Sequence, residues 1–249
     1  MPYTKRAAPI ANRLLAALPK KDYQRLLPQL EHVTLTFGDI LCEPGARLRH
    51  VYFPNDSIIS LLSTVENRKA VEVGIVGNDG MAGLSTLLGV SDSLYRMLVQ
   101  GAGSAMRMKT GALRKEFKQE GNMQSLLHRY THALMTQISQ TAACNRFHMV
   151  NARLARWLLM THDRVVSNEF RLTQEFLSHM LGVRREGVSK AASILQQRKL
   201  IIYTRGNITI INRAGLEAVA CTCYSIVKDE YDSFLPFKNP ATALLRKVH

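Results

Sequence analysis

Acidic residues are scarce in this sequence. Its 249 residues include 19 Asp and Glu against 33 Lys and Arg, so the formal net charge is +14. Such an excess favours a polyanionic partner, either a nucleic acid or an anionic membrane surface. The basic residues are densest between residues 171 and 213, where eight Lys and Arg stand against only Glu175 and Glu186.

Cysteine is also sparse, and long apolar runs are missing. The four cysteines are scattered apart from one Cys-Thr-Cys, which indicates neither a disulfide framework nor zinc-ligand spacing; they are Cys42, Cys144, Cys221 and Cys223. No apolar run approaches the roughly 20 residues that span a bilayer, and the basic N-terminus lacks the apolar core of a signal peptide. We therefore predict a cytoplasmic protein with reduced thiols and no membrane partner.

Catalytic motifs are missing as well. The sequence has no nucleophile elbow, P-loop or dinucleotide fingerprint, and Gly101-Ala102-Gly103 lacks the third glycine and the strand–helix context. His128 and His132 are spaced to share a helix face, but no third metal ligand has a suitable spacing, although Cys144 and His148 lie further along. We expect no enzyme activity, no bound metal and no other cofactor.

Short alternating segments fill residues 32–108. The β-rich runs cover 33–37, 51–53, 57–63, 71–76 and 94–108. Turns rich in Gly, Pro, Asn and Asp separate them, and this punctuation is typical of an antiparallel barrel or jelly roll. We assign residues 1–120 to this domain.

Helical periodicity flanks the β-rich region. Residues 10–30 have helical spacing broken by two prolines, and a short helix near 110–118 precedes a longer one over 121–146. The apolar stripe of the longer helix consists of Leu127, Tyr130, Leu134, Ile138 and Thr141. Its alternating steps of three and four suit helix-to-helix packing, so we predict that the stripe forms a dimer interface. The alternative is that the helix lies on its own barrel.

A helix-turn-helix pattern occupies residues 172–199. Thr173 can cap the first helix, and Gly182 supplies the left-handed residue that a tight turn requires. The second helix begins at Arg184 or Arg185. The preceding helix, over 150–166, contains the only Trp, which we expect in the core.

A hairpin follows the second helix. Two β-rich runs over residues 200–211 flank a Gly-Asn turn, with Arg205 at the tip. Helix, turn, helix and hairpin form the winged arrangement. We therefore assign residues 147–235 to a winged helix-turn-helix domain and residues 236–249 to a C-terminal tail.

The polar face of the second helix carries the predicted DNA contacts. Arg185 can pair with O6 and N7 of a guanine, and Glu186 can accept from a cytosine amino group. Lys190 can reach a second guanine or a phosphate, while Thr173 and Arg205 suit phosphates. The complete predicted set is Thr173, Gln174, Arg184, Arg185, Glu186, Ser189, Lys190 and Arg205. The alternative is that this is a solvated helix face.

In these features the sequence resembles the Crp–Fnr superfamily of bacterial transcription regulators, over roughly residues 20–235. The most specific stretch is 172–212, where Arg185 to Lys190 stands in the position of the family's Arg/Glu/Ser/Arg recognition set. Lys190 takes the place of an Arg, and a Lys lacks the bidentate fork. Recognition of guanine there should be weaker or replaced by a phosphate contact.

The resemblance implies an α+β chain with three parts. These are an N-terminal antiparallel β jelly-roll barrel of the cyclic-nucleotide-binding type, a long dimerisation helix and a C-terminal winged helix-turn-helix. It also implies a homodimer, paired through residues 122–146, whose two recognition helices enter successive major grooves of an inverted repeat about 34 Å apart. Double-stranded DNA is then the main partner, with RNA polymerase and a small effector as further candidates.

The sensor half departs from the cyclic-nucleotide binders of that family. Those proteins carry Phe-Gly-Glu and, about ten residues later, Arg-Ser or Arg-Thr, whereas this chain has Ala82-Gly83-Leu84 and Leu94-Tyr95, with Arg96 out of register. Leucine cannot accept the ribose hydrogen bond, and a phosphate without a guanidinium stays unpaired. We predict no tight binding of cyclic AMP. The cysteine cluster of the iron–sulfur members is also missing before Cys42, so that cofactor is not expected.

Two other functions remain open. The barrel could serve as a receptor for another small molecule, with DNA binding secondary, and a thermal shift without a DNA footprint would favour this. The charge could instead serve an architectural or membrane-surface protein, and an architectural binder would protect any DNA equally.

Overall fold

Two antiparallel sheets form the N-terminal half of the chain. The computed structural model describes residues 10–64, 70–165 and 167–235. The strands are β1 (Glu31–Leu35), β2 (Ile40–Cys42), β3 (His50–Pro54), β4 (Ile58–Thr64), β5 (Ala70–Val76), β6 (Arg96–Gly101) and β7 (Gly103–Lys109). One sheet has the order β1-β7-β3 and the other β2-β6-β4-β5. We call this unit the β domain.

The β domain confirms the predicted jelly-roll type of fold, with one difference in its closure. The alternating stretch over 94–108 forms two strands, because the chain passes from one sheet to the other at Ala102. Strand hydrogen bonds therefore form two sheets around a shared core and do not close a single barrel. β2 is short and was not predicted.

Helices precede and follow the strands of the β domain in the sequence, and a 3-10 turn lies between β5 and β6. They are α1 (Arg13–Ala16), α2 (Lys20–Leu26), a 3-10 turn (Leu27–Gln29), a 3-10 turn (Leu84–Leu88), α3 (Thr110–Phe117) and α4 (Asn122–Phe147). The two prolines act as predicted, since Pro19 is the N-cap of α2 and Pro28 lies in the 3-10 turn that ends it.

Helix α4 packs its apolar stripe on its own β domain. This is the alternative to the predicted dimer interface. Leu127 and Tyr130 have no exposed surface, and Leu134 is 4% exposed. The Tyr130 hydroxyl donates to the carbonyl oxygen of Met81 at 2.8 Å. These three side chains leave no surface for a second chain. The stripe has the spacing that any packed helix needs, so periodicity alone could not identify its partner.

The other two residues of the predicted stripe lie at its margin. Thr141 is half-buried, donates to the carbonyl oxygen of Gln137 and accepts from the guanidinium of Arg156 at 3.0 Å. Ile138 is also half-buried and packs against the edge of the core. Of the five predicted interface residues, Ile138 is the one that still presents apolar surface outward.

The C-terminal half is helical with a small sheet. Its elements are α5 (Val150–His162), β8 (Glu169–Arg171), α6 (Gln174–Leu181), α7 (Arg185–Gln197), β9 (Ile201–Thr204), β10 (Asn207–Ile210), α8 (Arg213–Val219) and α9 (Cys223–Asp232). The three strands pair in the order β8-β10-β9. This arrangement confirms the winged helix-turn-helix and adds β8 and α8, while the proposed tail at 236–249 lies outside the described residues.

Buried polar contacts join the two halves. Glu72 on β5 accepts from the Trp157 indole at 2.7 Å, so the single Trp is in the core as expected. Arg164, just after α5, forms a buried ion pair with Asp79 at 2.8 Å. Helix α6 packs on β5, and α9 packs along α4. No helix among the described residues is both long and apolar enough to cross a membrane.

Candidate nucleic-acid interface

Local signals shape the helix-turn-helix. The Thr173 hydroxyl accepts from the backbone N–H of Phe176 at 3.1 Å and so caps α6. Helix α6 ends at Gly182, whose φ of 60° and ψ of 38° are left-handed. Helix α7 then starts after Arg184, its N-cap. Both predicted boundaries are therefore confirmed.

The two sides of α7 have opposite character. The apolar side is fully buried and consists of Val188, Ala191, Ala192 and Leu195. On the other side Arg185, Glu186 and Lys190 are exposed, and Ser189 is half-buried and accepts from the Gln174 amide at 3.4 Å. Within the described ranges none of these residues forms a salt bridge. The polar side of α7 thus presents unpaired charge and hydrogen-bonding groups at the N-terminal end of a helix, where the dipole favours an anion.

The wing turns at Arg205 and Gly206. Their φ values are 49° and 83°, which is the pattern of the type I′ hairpin turn. The prediction of a Gly-Asn turn was therefore displaced by one residue, since Asn207 already pairs with Thr204 in the β9–β10 ladder. Arg205 is exposed at the tip, as predicted, but in a backbone region that L residues seldom adopt.

A shallow groove runs between the wing and the start of the helix-turn-helix. Its lining residues are Thr173, Gln174, Arg185, Tyr203, Arg205 and Gly206. Four of the predicted DNA-binding residues thus come together there, while Arg184, Glu186 and Lys190 lie on the adjoining surface of α7 or at its start. Tyr203 was not predicted, and its position on the wing strand beside a basic turn was the available signal. Its hydroxyl donates to the carbonyl oxygen of Leu172 at 2.8 Å, which fixes the ring along the groove wall.

Ala82, Gly83 and Leu84 lead from a bridge with Tyr52 into the 3-10 turn of the β domain. Gly83 has a φ of 105° and precedes the 3-10 turn, and Leu94 is 72% exposed. Arg96 points to Glu43, with a 2.8 Å hydrogen bond. Arg114 of α3 donates to the carbonyl oxygen of Thr86 at 3.1 Å, so this guanidinium is occupied in supporting the turn.

The two histidines of α4 lie in different surroundings. The His128 ring meets that of Phe117 edge-on, with centroids 5.2 Å apart. His132 instead bonds through Nδ1 to Glu230 at 2.9 Å on α9.

Comparison with known proteins supports this description of the fold. Residues 152–219 match the family model of the Crp-like helix-turn-helix domain. None of the curated proteins searched matches the chain.

Solved structures extend the likeness to about three quarters of the chain. FixK2 from Bradyrhizobium japonicum is 15% identical with a TM-score of 0.66, covering 77% of this chain and 98% of that one. A CRP-family transcriptional regulator from Thermus thermophilus is 17% identical with a TM-score of 0.62, covering 76% and 96%. The c-di-GMP responsive global regulator CLP from Xanthomonas campestris is 12% identical with a TM-score of 0.60, covering 77% and 99%. At such identities the likeness establishes the fold of the Crp/Fnr regulators.

Proposed function

We propose that this chain, whose residues 152–219 are a Crp-like helix-turn-helix domain, is a transcription regulator that binds an inverted-repeat DNA site as a homodimer. The observation that carries the proposal is the surface built by α7 and the wing. Charged groups that are exposed and unpaired meet there beside a groove lined by Thr173, Arg185 and Arg205. A buried apolar side of α7 fixes the helix, so its polar side has a defined direction.

Each exposed group has a task in this proposal. Arg185 pairs with a guanine and Glu186 accepts from a cytosine, because both stand in the first turn of α7 that enters a major groove. Lys190, one turn further on, contacts a guanine or a phosphate as a point charge. Arg205 and the N-terminus of α6 at Thr173 bind phosphates and fix the register of the protein on the duplex.

We assign the dimer contact to the outer side of α4. The outward residues at alternating steps of four and three are His128, Thr131, Met135, Ile138 and Ala142. Met135 is 61% exposed, a large exposure for an apolar side chain in the middle of a 26-residue helix. A heptad-spaced seam of this kind suits a parallel helix pair. Ile138 is the one residue that this seam shares with the stripe predicted from the sequence. The other four residues of that stripe are buried or half-buried on the side of α4 that faces the β domain.

The proposal extends to the remaining partners. The β domain senses a small effector other than cyclic AMP, because Leu84 stands where a nucleotide binder needs an acceptor and the exposed Leu94, followed by Tyr95, stands where it needs a guanidinium. The regulator acts on RNA polymerase in the cytoplasm. A receptor that uses DNA only secondarily is the less favoured function, because it gives no role to the exposed charged side chains of α7 and the wing.

Selection of binding sites from random duplex DNA tests the function. Wild type is expected to enrich a sequence with two inverted half-sites whose centres are one helical turn apart. Arg185→Ala should then cost about 1–3 kcal/mol of binding free energy on that site and relax the preference at one position of each half-site. Arg198→Ala, at the opposite end of α7, is the matched control and should retain the preference.

Either of two results would count against this function. Enrichment of no sequence at low salt would favour an architectural binder. An Arg185→Ala variant with unchanged preference would remove Arg185 from base reading even if DNA binding persisted.

The dimer seam is tested by a charge in its centre. Met135→Glu should shift the sedimentation coefficient from that of a dimer to that of a monomer, because two carboxylates would face each other across a helix pair. Leu88→Glu, on an equally exposed leucine of the β domain surface, should leave the dimer intact. Dimers that survive Met135→Glu would place the contact elsewhere.

A further inference from the structure

Three of the four cysteines meet at one point of the fold. Cys144 near the end of α4 and Cys221 before α9 are 77 residues apart in sequence, yet their Sγ atoms lie 3.4 Å apart. Cys223, the first residue of α9, lies 3.6 Å through its Sγ from Nδ1 of His148, the C-cap of α4. The ligand atoms of all four side chains lie within 4.8 Å of one another. The scattered spacing in the sequence therefore concealed a cluster.

The cluster has the dimensions of a structural metal site. Zinc held by three cysteines and one histidine is tetrahedral, with Zn–S about 2.3 Å and Zn–N about 2.0 Å. These bond lengths place neighbouring sulfurs about 3.8 Å apart and a sulfur and nitrogen about 3.5 Å apart. The observed 3.4 Å and 3.6 Å agree with this geometry, so small side-chain adjustments would bring four ligands to one ion.

We propose that Cys144, His148, Cys221 and Cys223 bind one Zn²⁺ as a closed structural site. Three sulfurs and one imidazole nitrogen are soft or borderline ligands, and a tetrahedral set of this kind favours zinc over oxygen-seeking ions such as Mg²⁺ or Ca²⁺. Zinc also needs no open coordination position here, because four protein ligands complete its shell.

The surroundings suit the charge of such a site. Cys144 and Cys223 are buried, so their thiolates would be costly without an ion to neutralise them. Three thiolates and one Zn²⁺ leave a net charge of −1, and the guanidinium groups of Arg153 and Arg156 line the cavity that also contains Cys144. Arg156 already donates to Thr141 on α4, one turn before Cys144, so a positive group faces the site from α5.

The position of the site predicts what the ion would do. His148 and Met149 connect α4 to α5. This connection joins the helix of the proposed dimer seam to the winged helix-turn-helix domain. Cys221 lies between α8 and α9 of that domain, and Cys223 begins α9. The ion would therefore cross-link the end of α4 to the α8–α9 corner. It would fix the angle between α4 and the winged helix-turn-helix domain. This site stands independently of the DNA function proposed above.

Metal analysis of the full chain, purified under reducing conditions from zinc-supplemented cells, tests the site. We expect about one zinc per chain in wild type. Cys221→Ser and His148→Gln should each lower zinc affinity at least about tenfold, because each removes one ligand. His148→Cys should retain the ion, since four cysteines also form a closed zinc set. Cys42→Ser, on the buried cysteine of β2, is the matched control and should bind zinc like wild type.

Further measurements distinguish loss of a zinc ligand from loss of folding in the variants. Circular dichroism identifies which variants are folded, and chelator competition is then run on those alone. Metal-free wild type should melt at a lower temperature and recover when Zn²⁺ is added, while Cys221→Ser should not respond. Cobalt substituted into wild type should give the visible bands of a tetrahedral thiolate site, and these should be missing in Cys221→Ser.

The proposal is overturned by either of two outcomes. Wild type without stoichiometric zinc in which Cys144 and Cys221 form a disulfide would identify a redox pair at this position instead. Equal zinc content in wild type and in a folded Cys221→Ser variant would locate the metal elsewhere in the chain.

Discussion

Charged side chains are exposed on one face of the winged helix-turn-helix domain and buried in pairs on the other. On the face formed by the polar side of α7 and the wing, Arg185, Lys190 and Arg205 are exposed and form no salt bridge within the described ranges. On the face packed against the β domain, Arg164 is 3% exposed and paired with Asp79. An unpaired charge is inexpensive in water and costly inside the protein. The exposed face therefore retains its charges for a partner, whereas the buried face uses them within the fold.

The buried face extends beyond one ion pair. Arg164 also donates to the carbonyl oxygen of Met160 at 2.8 Å and lies 5.4 Å from the centre of the Tyr231 ring. Gln137 of α4 donates to the hydroxyl of Tyr231 at 3.1 Å. The β domain, α4 and the winged helix-turn-helix domain are thus connected by directional polar contacts as well as by apolar packing. Such contacts specify one arrangement of the two halves more strictly than apolar area alone.

The largest expected effect comes from breaking that ion pair. Arg164→Met should lower the free energy of unfolding by about 3–5 kcal/mol, because it leaves the Asp79 carboxylate buried without a counter-charge. Arg96→Met, which removes an exposed ion pair with Glu43, should cost less than about 1 kcal/mol. Urea unfolding measures both. Similar costs for the two variants would show that the buried and exposed faces do not differ in the way described.

The same contact can be separated into its parts. The double variant Arg164→Met with Asp79→Asn should recover part of the loss, since neither charge then stays unpaired. A double-mutant cycle with the two single variants gives the coupling free energy directly. Additive single effects would mean that the two side chains do not interact in solution.

The next effect concerns Glu72 and depends on pH. Burial raises the pKa of Glu72 from 4.5 to about 7, and hydrogen bonds from Ser60 and Trp157 oppose this rise. Because the folded pKa is the higher one, the folded state binds the proton more tightly. Its stabilising contribution is complete below pH 4.5 and is lost as the pH rises through about 7. At about 1.4 kcal/mol per pKa unit, the loss amounts to about 3 kcal/mol.

Replacement of Glu72 tests this titration. Between about pH 5 and about pH 8, the stability of wild type relative to Glu72→Gln should fall by about 2.5 kcal/mol, because glutamine cannot ionise and part of the total loss already occurs below about pH 5. Glu120→Gln, at an exposed position between α3 and α4, should show no such trend. Urea unfolding at the two pH values gives both differences. A pH-independent difference for Glu72→Gln would mean that Glu72 keeps its ordinary pKa.

Sequence reasoning was most reliable for the exposed face. The capping side chain of Thr173, the left-handed Gly182 and the apolar positions of α7 are local signals, and each acts within a few residues. They were enough to identify the helix-turn-helix and the outward direction of Arg185. The wing turn was displaced by one residue because Arg205 occupies a position that normally favours Gly or Asn.

The buried face was less accessible to such reasoning. The stripe of α4 could pack on a second chain or on its own β domain, and only the three-dimensional structure distinguishes the two. No local pattern around Glu72 predicts that its carboxylate accepts a hydrogen bond from the Trp157 indole at 2.7 Å. The cluster at Cys144 was concealed for the same reason, since it depends on contacts between residues far apart in the chain.

The smallest expected effect returns to the exposed face, at Arg205. Its φ of 49° is unfavourable for an L residue, so Arg205→Gly should raise the free energy of unfolding by about 1 kcal/mol. The same change removes the proposed phosphate contact. DNA affinity should therefore fall alike for all sequences, and the slope of log affinity against log salt should become shallower by about one. Arg171→Gly is the control, on strand β8 beside the start of β10. It also removes a positive charge, but it relieves no left-handed backbone conformation. Opposite signs for stability and DNA binding in one variant would identify Arg205 as a residue whose strain is retained for contact with the backbone of DNA. Loss of both together would mean that the arginine supports the hairpin itself.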